Sequence, residues 1–374
     1  MTNRFAFGAN GPARFAQRLL RINDASTGVR LDLLTEDAPE GPETPPHVYP
    51  LRLRLTRAQR LVGKLARSRI YAERAADLHE RHAYDIVVYN NATNAVAAAD
   101  RLAVPVLGMI NDVNHLNASL GAPTSYGVLR SKILVRTELE ACRRLSAVIV
   151  NSDYLRERLR GRLGGRPHAP IERLYKGIEL PLDELPAARP LGECVRVAFV
   201  KTDWRRGGLP VLLAALGRSS HSYELAIASG RPDEIEDYLA GVSVPANVRV
   251  DLRGKLDRAG IAQLLEESDM FCVPAHSEAL GVASMEAMAR GVPCVGTRVE
   301  GVPEVYDQGR AGLLCPPDDP DALAAALGAC IADPVARERR RAHAFTHVRT
   351  KFNLQGMLDR FTDICRTYAK PVAA

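Results

Sequence analysis

Two glutamates, Glu278 and Glu286, stand eight positions apart in AHSEALGVASMEAMARGVPCVGTRVEGVPE, residues 275–304. A carboxylate accepts hydrogen bonds from two vicinal hydroxyls, so sugar diols and ribose are natural partners. MFCVPA, just upstream, is a short apolar run of strand formers, and VASMEAMAR reads as a helix stopped by Gly291. Gly281 then falls at the junction. The first N–H groups there, from Gly281 to Ala283 and including Val282, lack intrahelical acceptors and suit an anion. The same spacing fits a plainer arrangement, in which Glu286 is a solvated helix residue and Glu278 caps the helix.

A second cluster lies in FVKTDWRRGG, residues 199–208, again a strand end entering a helix. Lys201 and Arg206 sit where a diphosphate can be gripped, while Gly207 and Gly208 let backbone approach closely. A charged loop with no ligand is the alternative. VEGVPEV, residues 299–305, is a tight Gly–Pro loop that supplies backbone amides if it faces the same crevice. His276 beside Glu278 is a lone loop histidine and is left out of the catalytic set. The seven cysteines are scattered, odd in number and mostly set in apolar runs. They read as reduced core thiols of a cytoplasmic protein, with neither disulfides nor a metal site.

Such clusters need strand ends and helix starts gathered at one edge. Strand-like runs alternate with helical patterns almost throughout, the mark of α/β units on parallel sheets. The first half offers RFAF, VRLDLLT, YDIVVYN, VPVLGMI and SAVIVNS as strands, and the proline-rich stretch 38–50 as a loop or lid. PLDELPAARPLGE, 181–193, reads as a linker, after which the alternation restarts. The expectation is two Rossmann-like domains, 1–180 and 194–350, facing a central cleft with ligands at the carboxyl ends of the strands. Residues 351–374 form an amphipathic helix crossing back to the first domain. A dinucleotide-dependent dehydrogenase is disfavoured, because no G-x-G-x-x-G follows a strand with an acidic residue about 20 positions later.

The chain has 374 residues and a net charge of +6, with 27 basic and 18 acidic residues to Leu180 and 23 and 26 beyond it. The excess is densest in the segment 52–81, which is either a solvated helix face or a surface for an anionic membrane or acceptor. Nucleic acid is disfavoured, since aromatics are 5% and no stacking motif is interleaved with the arginines. No apolar run approaches the roughly 18 residues that span a bilayer, and the N-terminus carries no secretory signal pattern.

The block SEALGVASMEAMARGVPCVGTRVEGVPEVYDQGRAGLLCPPDDPDALAAAL resembles the signature of the family 4 retaining glycosyltransferases, which have the GT-B fold. Ala279–Leu280 replaces the family's Gly-Phe, and Glu300–Gly301 its Gly pair. FVKTDWRRGG is similar to V-G-R-L-x-x-x-K-G, with Lys201 at the arginine position, Arg206 at the lysine position and Val200 in place of a glycine. SAVIVNSDYLRERL and LYKGIEL resemble two further family segments. The resemblance implies a hexosyl transfer from a nucleotide diphosphate sugar to an acceptor hydroxyl, with retention and without metal or other cofactor. In it Glu286 binds ribose, Glu278 binds the transferred sugar with the Gly281–Ala283 amides assisting, and Lys201 and Arg206 neutralise the departing diphosphate. GANGPARF, residues 8–15, matches the family's glycine loop, which makes Gly11 a donor contact and Asn10 an acceptor-side candidate. GMINDVNHLN places Asn111 where the family has histidine; Asn111, Asp112 and His115 are acceptor-side candidates. The acceptor is a lipid-linked group, a glycan or a small-molecule aglycone, reached in the cytoplasm or at the inner face of the membrane. The alternative is a nucleotide-sugar or carbohydrate-binding protein of the same fold without transfer activity.

Overall fold

In CVRVAFV, Val195, Val197, Ala198 and Phe199 are fully buried, as befits a strand covered on both faces. This pattern recurs in a computed structural model that describes residues 11–24, 28–36, 44–51, 53, 63–112 and 125–369. The chain divides into two compact units, Met1–Lys176 with Gln355–Ala374, and Gly177–Leu354.

The first unit contains helix α1 (Gly11–Leu19), strands β1 (Leu33–Thr35) and β2 (Val48–Pro50), α2 (Gly63–His82), β3 (Val87–Tyr89), α3 (Ala92–Ala95), β4 (Val106–Ile110), α4 (Ser125–Arg144), β5 (Ala147–Val150), α5 (Asp153–Leu163) and β6 (Ile171–Arg173). Strands β3-β4-β5-β6 form one parallel sheet and β1-β2 a parallel pair. Strand β2 lies within the stretch expected as a loop or lid, where prolines at 45, 46 and 50 hide it from pattern reading. The expected strand RFAF lies outside the described residues.

The second unit runs β7 (Cys194–Val200), α6 (Leu209–Gly217), β8 (Ser222–Ala228), α7 (Pro232–Ala240), β9 (Val248–Gly254), α8 (Arg258–Glu266), β10 (Met270–Val273), α9 (Val282–Met288), β11 (Cys294–Thr297), α10 (Val302–Val305), β12 (Leu313–Cys315), α11 (Pro320–Ala332) and α12 (Pro334–Lys351). Its six parallel strands are ordered β12-β11-β10-β7-β8-β9. From β7 the strands β8 and β9 run outward on one side, and β10, β11 and β12 on the other. This is the doubly wound nucleotide-binding order, whose switch point lies between β7 and β10.

Segment 181–193 packs within the second unit. Buried Arg341 donates to the carbonyl of Gly291 at 2.6 Å and to that of Pro186, and Arg349 donates to that of Leu182. The chain re-enters the first unit in helix α13 (Leu354–Tyr368), which buries Met357, Leu358, Phe361, Ile364 and Cys365. Arg360 and Tyr368 bond Glu172 at 2.6 and 2.8 Å. All seven cysteines are free thiols, and all but Cys194 are buried.

Candidate active site

The carboxyl end of β7 opens into the loop holding Lys201 and Arg206. Trp204 between them is buried against Tyr238, ring centroids 4.8 Å apart, and anchors the loop from below. Gly208, at φ 77°, starts α6 where a Cβ would lie 2.1 Å from the carbonyl oxygen of Pro274. Only glycine lets the β7 loop lie against the β10 loop at that distance. On the other side of β10, a Cβ on Gly301 would lie 2.0 Å from the oxygen of Ala279. Thr297 ties the same loops together by donating to the carbonyl of Ala275 at 2.6 Å. Three neighbouring strand ends are thereby drawn together at the switch point.

Lys201 Nζ pairs with Glu278 Oε2, and both side chains are about one-fifth exposed, 19% and 23%. The other oxygen, Oε1, accepts from the N–H groups of Leu280 and Gly281 at 3.4 and 3.2 Å. Arg206 lays its guanidinium on Ser277, donating from Nε to the carbonyl and from Nη2 to Oγ, both at 3.0 Å. Ser277 Oγ in turn donates to Glu300 Oε1 at 2.9 Å. Two cations and two carboxylates are thus held by loops following β7, β10 and β11. A fixed guanidinium and ammonium at strand ends are suited to a doubly charged phosphate group.

Lys201, Arg206 and Glu278, singled out from sequence, come together. Gly281, at φ 95°, caps α9, and its N–H is taken by Glu278 rather than left for a ligand. Val282 and Ala283 open the helix, where geometry leaves their amides without an intrahelical acceptor. Glu286 sits partly buried on α9, its carbonyl receiving the guanidinium of Arg290 at 3.0 Å. His276 pairs with Asp318.

In the first unit Asn111 follows β4. Its Nδ2 donates to the carbonyl and Oδ1 of Asn90 at 3.0 and 2.9 Å, and its own carbonyl accepts from Asn151 at 3.0 Å. Three adjacent strand ends therefore carry a ladder of asparagines, and the Oδ1 atoms of Asn111 and Asn151 are buried without a partner among the described residues. Asp112 is partly buried beside it. Gly11 opens α1; Asn10 and His115 lie outside the described residues.

Sequence reasoning does not single out Ser277 or Glu300 as site residues. Ser277 adjoins the glutamate motif, but Glu300 reaches it only through the adjacency of β10 and β11, which no local pattern reveals. Among the described residues one group of potential metal ligands that the sequence pattern leaves unconnected comes together: Asp307, His343 and His347.

The model for Glycosyltransferase Family 4 matches residues 9–181, and that for Glycosyl transferases group 1 matches residues 195–333. The D-inositol 3-phosphate glycosyltransferase of Kribbella flavida is 27% identical over 298 residues, 73% of this chain and 69% of that one. Matches to several other curated relatives are shorter, and the chain spans 25% to 39% of their length. Sucrose-phosphate synthase from Thermosynechococcus elongatus superposes with a TM-score of 0.80 at 20% identity, covering 96% of this chain and 94% of that one. Anabaena HepE in complex with UDP-glucose does so at 0.70 and 19%, covering 98% of each chain. The chain belongs to the family 4 glycosyltransferases, with the two Rossmann-like domains of the GT-B fold.

Proposed function

We propose that the protein transfers a hexosyl group from a nucleotide diphosphate sugar to an acceptor hydroxyl, with retention at the anomeric carbon. The observation that carries this reading is the placing of Lys201 and Arg206 at the switch point of a doubly wound sheet, with Glu278 beside them. Negative charge grows on the diphosphate as it leaves, and cations held at that strand end lower the barrier. Glu286 takes the ribose hydroxyls and Glu278 those of the sugar. The departing diphosphate oxygen accepts the acceptor's proton on the face it leaves. With two cations supplied by the chain, the step needs no metal at the leaving group. HepE, of the same fold, was crystallised with UDP-glucose, which supports a nucleotide sugar donor.

The test is thermal stabilisation against UDP, GDP, ADP and their sugars, run on wild type and Glu286→Ala. Stabilisation by one nucleotide series, lost in the variant, is the expected result and names the donor base. A folded protein that shifts with none of them sinks the reading. A second reading, binding without transfer, has one observation in its favour: both oxygens of Glu278 are already engaged, by two amides and by Lys201. Nucleotide release from the stabilising sugar nucleotide, measured with and without candidate acceptors, separates the two.

A further inference from the structure

The helix α12 carries His343 and His347 one turn apart, so both rings project from the same face. The rings lie nearly parallel, 13° between planes with centroids 6.1 Å apart. Facing them is Asp307, in the turn that follows α10. Its Oδ2 lies 2.7 Å from His343 Nε2, and its Oδ1 accepts from Arg310 at 2.9 Å. His347 Nε2 approaches the carbonyl of Glu304 at 3.2 Å. One ligand atom from each of the three residues lies within 4.8 Å of the others.

We propose that Asp307, His343 and His347 form a binding site for a divalent transition-metal ion of the zinc type. Two imidazoles and one carboxylate are a recurrent donor set for such ions, which bind nitrogen and oxygen at about 2.0–2.2 Å. Ligand atoms around a tetrahedral ion then stand about 3.3 Å apart. Spacings of up to 4.8 Å among the three ligand atoms close to that value by side-chain rotation. The ion takes the place of the proton shared by His343 and Asp307. The fourth position is left to water or to the Glu304 carbonyl. Arg310 neutralises the remaining carboxylate oxygen and opposes a second positive charge, so it weakens the site without blocking Oδ2.

The site shares no residue with the Lys201, Arg206 and Glu278 cluster, yet it acts on the same loop. Residues 299–309 carry Glu300, the brace of Ser277 and Arg206, at one end and Asp307 at the other. An ion clamping Asp307 to α12 fixes that loop from its far end. Its effect is on stability of the second unit, independent of whether sugar transfer takes place.

The experiment uses untagged full-length protein, treated with chelator and titrated with Zn²⁺ in a calorimeter, with Co²⁺ as a spectroscopic probe. One ion per chain and a rise in melting temperature are expected. Affinity falls by more than the 10- to 100-fold that loss of an outer-shell partner costs in both His343→Gln and His347→Gln. Arg310→Ala, which keeps all three ligands, binds more tightly. The Co²⁺ d–d bands on wild type lack thiolate charge transfer, which keeps the test valid even if a histidine variant fails to fold. No binding to wild type overturns the proposal. So does binding that survives both substitutions in folded protein, or a thiolate signature pointing to exposed Cys194.

Discussion

Glu278 is held from both sides, Oε1 by the amides of Leu280 and Gly281 and Oε2 by the ammonium of Lys201. A diphosphate is the stronger attraction for that ammonium, since it carries more negative charge than one carboxylate. Under the proposed function, Lys201 turning to phosphate would free Oε2 for sugar hydroxyls and so couple donor binding to exposure of Glu278. Arg206 differs, because its planar fork is already fixed on Ser277 by two bonds. Lys201→Met is expected to lower kcat for nucleotide release by about 10²–10³, the usual loss when one charge-stabilising donor is removed. Arg206→Lys keeps the charge but cannot make both bonds to Ser277, so it should also fall at least tenfold. Steady-state nucleotide release on folded variants checks both. Unchanged kcat in Lys201→Met would remove this lysine from the leaving-group site.

The loops that carry these residues are held at backbone contact distance, and two glycines make that possible. Gly301→Ala puts a methyl group 2.0 Å from the carbonyl oxygen of Ala279, so backbone must move. Overpacking of this kind costs about 1–3 kcal/mol. The expected outcome is a lower urea midpoint for the second unit together with weakened nucleotide stabilisation. A variant with wild-type midpoint and wild-type ligand shift would show that the loops do not need this approach. Much of this level is legible in the sequence. Most strands of the two larger sheets announce themselves as apolar runs, and α9 through Gly281 before it and Gly291 after it, whereas β6, whose three residues IER carry two charges, and the short β12 are not among the expected strands. Strand β2 does not, because its three residues, VYP, sit among prolines. Glu300 as a brace is equally hidden, since its partner is 23 positions away and meets it only across two strands. The His343–His347 spacing is visible in the sequence, but Asp307, 36 residues upstream, becomes their neighbour only through packing.

At the scale of the whole chain, two crossings join the units, Lys176 to Gly177 and Leu354 to Gln355. On the second-unit side Ile178 N–H donates to the carbonyl of Phe352 at 2.8 Å, so the two strands of the crossing start from adjacent points. On the first-unit side Lys176 places its ammonium 3.8 Å from the ring centroid of Phe15. No carboxylate among the described residues pairs with it. Burial, and secondarily the charge of Arg18, pull its pKa down from 10.5 to about 7. Between those values the unfolded chain holds a proton at this site that the folded chain has released. Unfolding therefore takes up a proton at this group, and its contribution to stability rises with pH across that window. Below about pH 7 both states are protonated, and the folded chain holds the charged ammonium against the Phe15 ring with Arg18 nearby. Lys176→Met removes the titration while keeping an unbranched apolar stem against Phe15. It is expected to stabilise the protein at pH 6.5 and to flatten the slope of melting temperature against pH from about 7 to 9. Differential scanning calorimetry of both proteins across that range decides the matter. A wild-type curve already flat there, or a variant with the same slope, would place the ammonium in water rather than against the ring.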